Sequence, residues 1–258
     1  MSTDKTIVLI TGANSGIGLE TVLALSQSSD KYHILLGTRS LEKGETALAN
    51  LASSHGKELR SHIEVLQLDV TSTDSITAAT AYIEKTFGRL DVLISNAGVI
   101  VYEQVDTLIN LRRTFETNVF GAMVLTESLL PLIKKSAAPR IIYVSSEQGS
   151  ISLKLDPNYR WKDTKAEPYR MSKAAMNMMA ACHKYDYREW GCKVCSFNPG
   201  FCVTNLTGEE TKKMRVEMGA RSARDPAVAL VDVLEGKRDE DIMDKSGIVD
   251  LDGGVRPW

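Results

Sequence analysis

The chain has 258 residues, of which 43% are hydrophobic and 25% charged, the balance of an ordinary globular protein rather than a disordered, fibrous or disulfide-stapled one. Its 31 Lys and Arg against 33 Asp and Glu leave a formal charge of −2, so no basic footprint points to nucleic acid or an anionic membrane. No apolar run approaches the ~18 residues of a membrane span, and Met1–Lys5 leads into Ile7–Ile10 without the layout of a signal peptide, so the cytosol is the expected location.

Short apolar, β-branched runs recur down the chain at Ile7–Ile10, His33–Leu36, Ile63–Leu68, Val92–Ile94, Ile141–Val144, Val194–Phe197 and Ile248–Leu251. Continuous apolar runs bounded by turn residues read as strands buried on both faces, as parallel sheets require. Between them the pattern predicts helices over Ile17–Gln27, Leu41–Ser53, Asp74–Phe87, Thr107–Lys135, Glu167–Glu189 and Pro226–Leu234. Such alternation predicts one α/β domain over residues 1–258, a Rossmann-type, doubly wound, seven-stranded parallel sheet. Two stretches, 150–166 and 204–224, fit neither element. Both follow strands, and in open α/β sheets ligands gather at the carboxyl ends of strands.

Four cysteines, Cys182, Cys192, Cys195 and Cys202, stand close in sequence, and Cys192-x-x-Cys195 has a spacing that metal and redox sites use. No second such pair completes a tetrahedral site, so these read as buried, reduced thiols. His33, His55, His62 and His183 share no motif, and no metal is expected.

The first constellation with chemistry is Thr11-Gly12-Ala13-Asn14-Ser15-Gly16-Ile17-Gly18, between the first strand and the first helix. Gly12 permits a tight turn, Gly16 lets the backbone approach a pyrophosphate, and Gly18 lets the helix pack on the strand. The helix N-terminus then offers N–H donors and partial positive charge to phosphates. The second strand ends Thr38-Arg39-Ser40. An NAD-binding fold carries an acid about 20 residues after the glycines, to hold the ribose 2′-OH. Here Arg39 stands there instead, and a guanidinium aided by the Thr38 and Ser40 hydroxyls suits the 2′-phosphate of NADP.

Tyr169 and Lys173 are spaced to share one helix face. A cation near a phenol lowers its pKa from about 10 toward neutrality, which makes the tyrosine a usable acid or base. In Val144-Ser145-Ser146-Glu147-Gln148-Gly149, at the end of the fifth strand, a serine hydroxyl can hold a carbonyl oxygen, or serve only as a turn or capping serine. Asn96-Ala97-Gly98 follows the fourth strand, and Asn198-Pro199-Gly200 ends the sixth in a rigid turn. Asn118 lies mid-helix, where propensity disfavours it, which signals a local bend or a polar task.

In this order the set resembles the short-chain dehydrogenase/reductase family, over nearly the whole chain from Thr11 to Gly254. Ser95-Asn96-Ala97-Gly98 resembles that family's NNAG motif, with Ser for the first Asn. The resemblance implies a catalytic tetrad of Asn118, Ser146, Tyr169 and Lys173, with Tyr169 and Lys173 also meeting the cofactor. It implies that Asp69, beside Val70, meets the adenine amine, and that Pro199, Gly200, Val203 and Thr204 close on the nicotinamide. The interval from Ser146 to Tyr169 is longer than in compact members and closer to carbonyl reductases. The helices containing Thr117–Lys135 and Glu167–Glu189 would form the family's dimer faces, giving a homodimer or homotetramer, unless the longer segment caps that face and leaves a monomer.

The expected function is therefore NADPH-dependent reduction of a carbonyl in a small molecule, or the reverse oxidation of an alcohol. Two other readings stay open: a non-catalytic NADP-binding sensor or scaffold, and a redox-neutral epimerase that reuses its cofactor. Loops 150–168 and 201–224 should wall the substrate, the first with Leu153, Leu155, Tyr159 and Trp161, the second with Phe201, Val203, Leu206 and Met214. That inventory suits a bulky cyclic or aromatic ketone. The charged run Glu209–Lys213 would be a solvated lid helix that orders around ligand.

Overall fold

The computed structural model describes residues 4–101 and 103–258. In chain order it runs β1 (Thr6–Ile10), α1 (Gly16–Ser28), β2 (Tyr32–Thr38), α2 (Leu41–His55), β3 (His62–Gln67), α3 (Thr73–Phe87), β4 (Val92–Ser95), α4 (Thr107–Phe115), a π-helical turn (Glu116–Gly121), α5 (Ala122–Ile133) and β5 (Arg140–Val144). It continues with α6 (Ile151–Leu155), α7 (Glu167–Asp186), β6 (Lys193–Asn198), α8 (Lys212–Glu217), α9 (Arg224–Leu234), α10 (Asp239–Met243), β7 (Ile248–Asp250) and β8 (Val255–Arg256).

The strands form one sheet in the order β3-β2-β1-β4-β5-β6-β7-β8. Successive strand residues face opposite sides. Ile7, Leu9, Leu35 and Ile141 therefore pack under α3, α5 and α7 with Ile83, Leu125 and Met176, whereas Val8, Ile10, Ile34 and Ile142 pack under α1 and α9 with Val22, Leu25 and Leu230. The doubly wound sheet matches the sequence expectation. The strand order reverses between β1 and β4, and the crevice there lies beyond the carboxyl ends of the strands.

Three expectations need correction. The sheet has eight strands, because β8 returns antiparallel to β7 after Gly253 and Gly254, both at positive φ. Two residues leave too little pattern to read as a strand. The helix expected over Thr107–Lys135 is broken by the π-helical turn, which contains Asn118, so the disfavoured residue marks a real departure from α geometry. The first irregular stretch also holds a short helix, α6, while α8 in the second begins within the charged run expected to be helical. Among the described residues no helix is long and apolar enough to cross a membrane. The four cysteines are free, and burial pushes the Cys192 and Cys195 thiols up to about 12, so neither is a poised thiolate.

Candidate active site

A groove of about 350 Å³ opens at the carboxyl edge where the strand order reverses. Its floor is the glycine loop. Gly12 (φ 62) and Gly16 (φ 57) occupy the left-handed region that other residues resist. A Cβ on Gly12 would stand 2.9 Å from the Ala97 Cα, and one on Gly16 would stand 3.3 Å from the Thr204 Cβ. Ser15 does not cap α1 and no acid lies in its first turn, so the helix start keeps its donors for an anion. A pyrophosphate fits this cradle, where any side chain at Gly12 or Gly16 would intrude.

Thr11 ties the loop to its neighbour: its Oγ1 accepts from the Asn96 and Ala97 amides at 3.0 and 2.9 Å. Asn96 returns a bond from Nδ2 to the Thr11 carbonyl at 2.8 Å. Asn14, Ser15, Ile17, Asp69, Val70, Asn96, Ala97 and Gly98 all line the groove, as do Pro199 and Thr204 from the loop after β6. Gly18, Gly200 and Val203, expected among the cofactor residues, do not. Gly18 packs beneath, where a Cβ would meet Asn96 Nδ2 at 2.6 Å. Gly200 (φ 72) makes the turn against Leu251, and the Val203 amide donates to the Arg221 carbonyl.

Arg39 and Ser40 line the far end. Arg39 is exposed and pairs with no carboxylate among the described residues. Thr38 also borders the groove, but its buried hydroxyl donates to Asn14 Oδ1 at 3.1 Å, so it braces the glycine loop rather than waiting for a phosphate. Ser40 caps α2 by accepting from the Lys43 amide. Lys43 also lines this end and was missed by sequence reasoning. The available signal was a lysine in the first turn of a helix, where the dipole disfavours a cation unless an anion is present.

At the other end stand Tyr169 and Lys173, one turn apart on α7. The Lys173 Nζ lies 5.7 Å from the centroid of the Tyr169 ring and donates to the Val144 carbonyl at 2.9 Å. Full burial of this ammonium pushes its pKa down from 10.5 to about 8. Asn118 lies fully buried behind the groove. Its Oδ1 accepts from the Val99 amide at 2.8 Å, and its Nδ2 donates to the Val99 carbonyl at 2.9 Å and to Ser172 Oγ at 3.0 Å. A Cβ on Gly98 would lie 3.4 Å from Asn118 Oδ1 and 3.7 Å from Lys173 Nζ, so the three converge.

Of the adjacent serines, Ser145 is buried and donates to Asn177 Oδ1 at 2.6 Å. Ser146 does not line the groove, and its Oγ caps the turn Glu147–Gly149 by accepting from the Gln148 amide at 3.1 Å. Capping and carbonyl binding are compatible here, because a hydroxyl that accepts at a cap still has its proton to donate. Beside it, burial pushes the Glu147 carboxyl up from its usual range, a titratable group that the sequence did not single out.

The two substrate-side loops meet through Trp161 and Phe201, whose ring centroids are 5.0 Å apart. Arg160 stacks on Trp161 and donates to the Met218 carbonyl at 2.8 Å, while Arg215 stacks on Phe201. Tyr159 is buried, but Leu155 is 78% exposed and Met214 is 51% exposed, so neither of these forms an inner wall in this state.

The short chain dehydrogenase family pattern matches residues 6–215. A short-chain dehydrogenase of Penicillium roqueforti, anuI, is 38% identical over 223 residues, covering 84% of this chain and 86% of that protein. The short-chain dehydrogenase/reductase tropE of Talaromyces stipitatus is 32% identical, covering 99% and 98%. Among solved structures, the NADPH-bound carbonyl reductase from chicken fatty liver superposes with a TM-score of 0.79 at 27% identity, covering 100% of both chains. The chain belongs to the short-chain dehydrogenase family. It is therefore an oxidoreductase of that family.

Proposed function

We propose that this protein is an NADPH-dependent carbonyl reductase that converts a bulky, apolar ketone into a secondary alcohol. The observation that carries the reading is the buried Lys173 beside Tyr169, next to Gly98, at one end of a groove whose other end presents Arg39 and Lys43. The chicken carbonyl reductase, bound to NADPH, supports the same assignment. The glycine loop holds the pyrophosphate, and Arg39 with Lys43 meets the 2′-phosphate. Bound NADPH supplies the hydride.

The chain's own groups handle the oxygen and the proton. Tyr169 donates its proton to the substrate oxygen, and Ser146 hydrogen-bonds that oxygen and orients it. Lys173 carries its charge in a buried site, at a cost that a developing phenolate on Tyr169 offsets, so the lysine favours proton release from the tyrosine. Donors fixed before reaction need no reorganisation as charge develops, which is the main advantage of such a site. Asn118 positions these groups by clamping Val99 to Ser172, the neighbour of Lys173.

Free cysteines agree with a reducing compartment such as the cytosol. Exposed Leu108, Ile109, Phe120, Val124, Met171 and Met178 lie on α4, the π-helical turn, α5 and α7, and supply apolar surface for a symmetric homodimer or homotetramer. A solution mass at the monomer value of 28.4 kDa overturns that assembly. The central test is optical measurement of NADPH oxidation across a panel of cyclic and aromatic ketones. Consumption with a bulky ketone supports the reductase. NADPH binding without consumption on any ketone supports a sensor, and alcohol inversion without net consumption supports an epimerase.

A further inference from the structure

Pairing of β2 with β3 joins two histidines that lie far apart in the sequence. His33 and His62 are direct partners in the parallel register. Glu64 follows two residues after His62 on β3 and so falls on the same face. One ligand atom from each of the three side chains lies within 4.8 Å of the others. The His33 Nε2 is 3.0 Å from Glu64 Oε2, and the His62 Nε2 is 3.9 Å from the same oxygen.

We propose that His33, His62 and Glu64 form a binding site for a divalent transition-metal ion of the zinc class, separate from the nucleotide groove. With bonds of about 2.0–2.2 Å, a tetrahedral ion needs its ligand atoms roughly 3.3 Å apart. His33 and Glu64, at 3.0 Å, need to part by only a few tenths of an ångström, and His62, with 63% of its side chain exposed, has room to swing in. Two imidazoles and one carboxylate select zinc, nickel or copper over magnesium or calcium, which prefer oxygen ligands. Water takes the fourth position.

The surroundings fix two of the ligands. Tyr82 on α3 donates to Glu64 Oε1 at 2.6 Å and leaves Oε2 facing the histidines. The Phe87 ring packs edge-on against His33 with centroids 4.7 Å apart. Such outer partners orient ligands and add to affinity. The site lies at the amino ends of β2 and β3, whereas the groove lies at their carboxyl ends. The ion would therefore pin the edge strand to the sheet without entering the redox chemistry.

The test uses the tag-free full chain, stripped with chelator, titrated with zinc by calorimetry and with cobalt(II) by visible spectroscopy near pH 7.5. One ion per chain is expected, with zinc raising the Tm. His62→Ala and Glu64→Gln should each weaken zinc binding at least tenfold and abolish the Tm rise. His55→Ala, at a partly exposed histidine near Glu58 and outside the cluster, should change neither. Ketone reduction should be equal with and without zinc. Absence of zinc binding, or a loss in only one of the two ligand variants, overturns the site and leaves a His33–Glu64 hydrogen bond with edge-packed rings.

Discussion

Asn118 Nδ2 donates to Ser172 Oγ at 3.0 Å, tying the π-helical turn to the helix that carries Tyr169 and Lys173. The same side chain grips both backbone groups of Val99, so one amide sets the spacing of three segments. Removing it leaves buried polar groups unpaired, at about 1–3 kcal/mol each. Asn118→Ala should lower both the Tm and kcat, whereas Asn118→Asp, which keeps one acceptor, should recover part of the loss. A variant with wild-type Tm and kcat would show that the clamp is dispensable.

Tyr169→Phe should reduce ketone turnover by roughly 10²–10⁴-fold, the usual worth of positioned proton transfer. NADPH affinity, measured by fluorescence titration, should stay within a few-fold, because the glycine loop and the cations at the far end hold the cofactor. Wild-type turnover in this variant would remove Tyr169 from the proton-donating role.

Cofactor choice should follow Arg39 and Lys43. A hydrogen bond to a charged group is worth about 1.5–3 kcal/mol, so Arg39→Ala should lower kcat/KM with NADPH by roughly 10–100-fold and leave NADH nearly unchanged. Lys43→Ala should act in the same direction, and Arg39→Asp should erode or reverse the preference by repelling the 2′-phosphate. Equal use of both cofactors by the unmutated enzyme would contradict the assignment.

The parts of the fold that could be read in the sequence are those with strong local pattern. Buried parallel strands must be apolar along their length, so the central strands announced themselves, the edge strand β3 showed through its apolar run from Ile63, and the glycine loop lay where a strand meets a helix. What escaped depends on contacts between distant residues. Thr38 has the hydroxyl of a phosphate ligand, yet its partner is Asn14. Gly18 belongs to the motif but supports packing instead of lining the groove. His33 and His62 become neighbours only through strand register, which the sequence does not state. Asn118 did signal a departure from ideal helix, though not its π-helical form.

Lys173 sets a pH dependence. Its folded-state pKa is lowered to about 8 by burial, below the 10.5 of an unburied lysine. Reduction needs the ammonium, so kcat/KM for the ketone should be level below about 8 and fall as pH rises through it. The stability effect has the opposite sense. The burial cost is fully present below about 8 and is relieved as pH rises toward 10.5, because the folded chain then holds fewer protons than the unfolded one. Any Tm advantage of Lys173→Met over the wild type should therefore shrink across that window. A kcat/KM profile that stays level from pH 6 to 10 would refute the charge requirement.

Trp161 tests whether the long segment before Tyr169 reads substrate shape. Its ring meets Phe201 from the loop after β6, with Arg160 stacked on Trp161 and Arg215 on Phe201. The contact bridges the segment that follows Ser146 to the loop that carries Thr204, and neither ring lines the nucleotide groove itself. Removing a large aromatic ring there opens the space that a bulky ketone would fill, and costs apolar contact worth about 1.5–3 kcal/mol. Trp161→Ala should lower kcat/KM for a bulky aromatic ketone by roughly 10–100-fold if that contact is lost from the transition state. A small ketone, too short to reach the ring, should change only a few-fold. Equal losses for both would mean that Trp161 holds the two loops together without touching substrate, and no change in either would remove the segment from the pocket altogether.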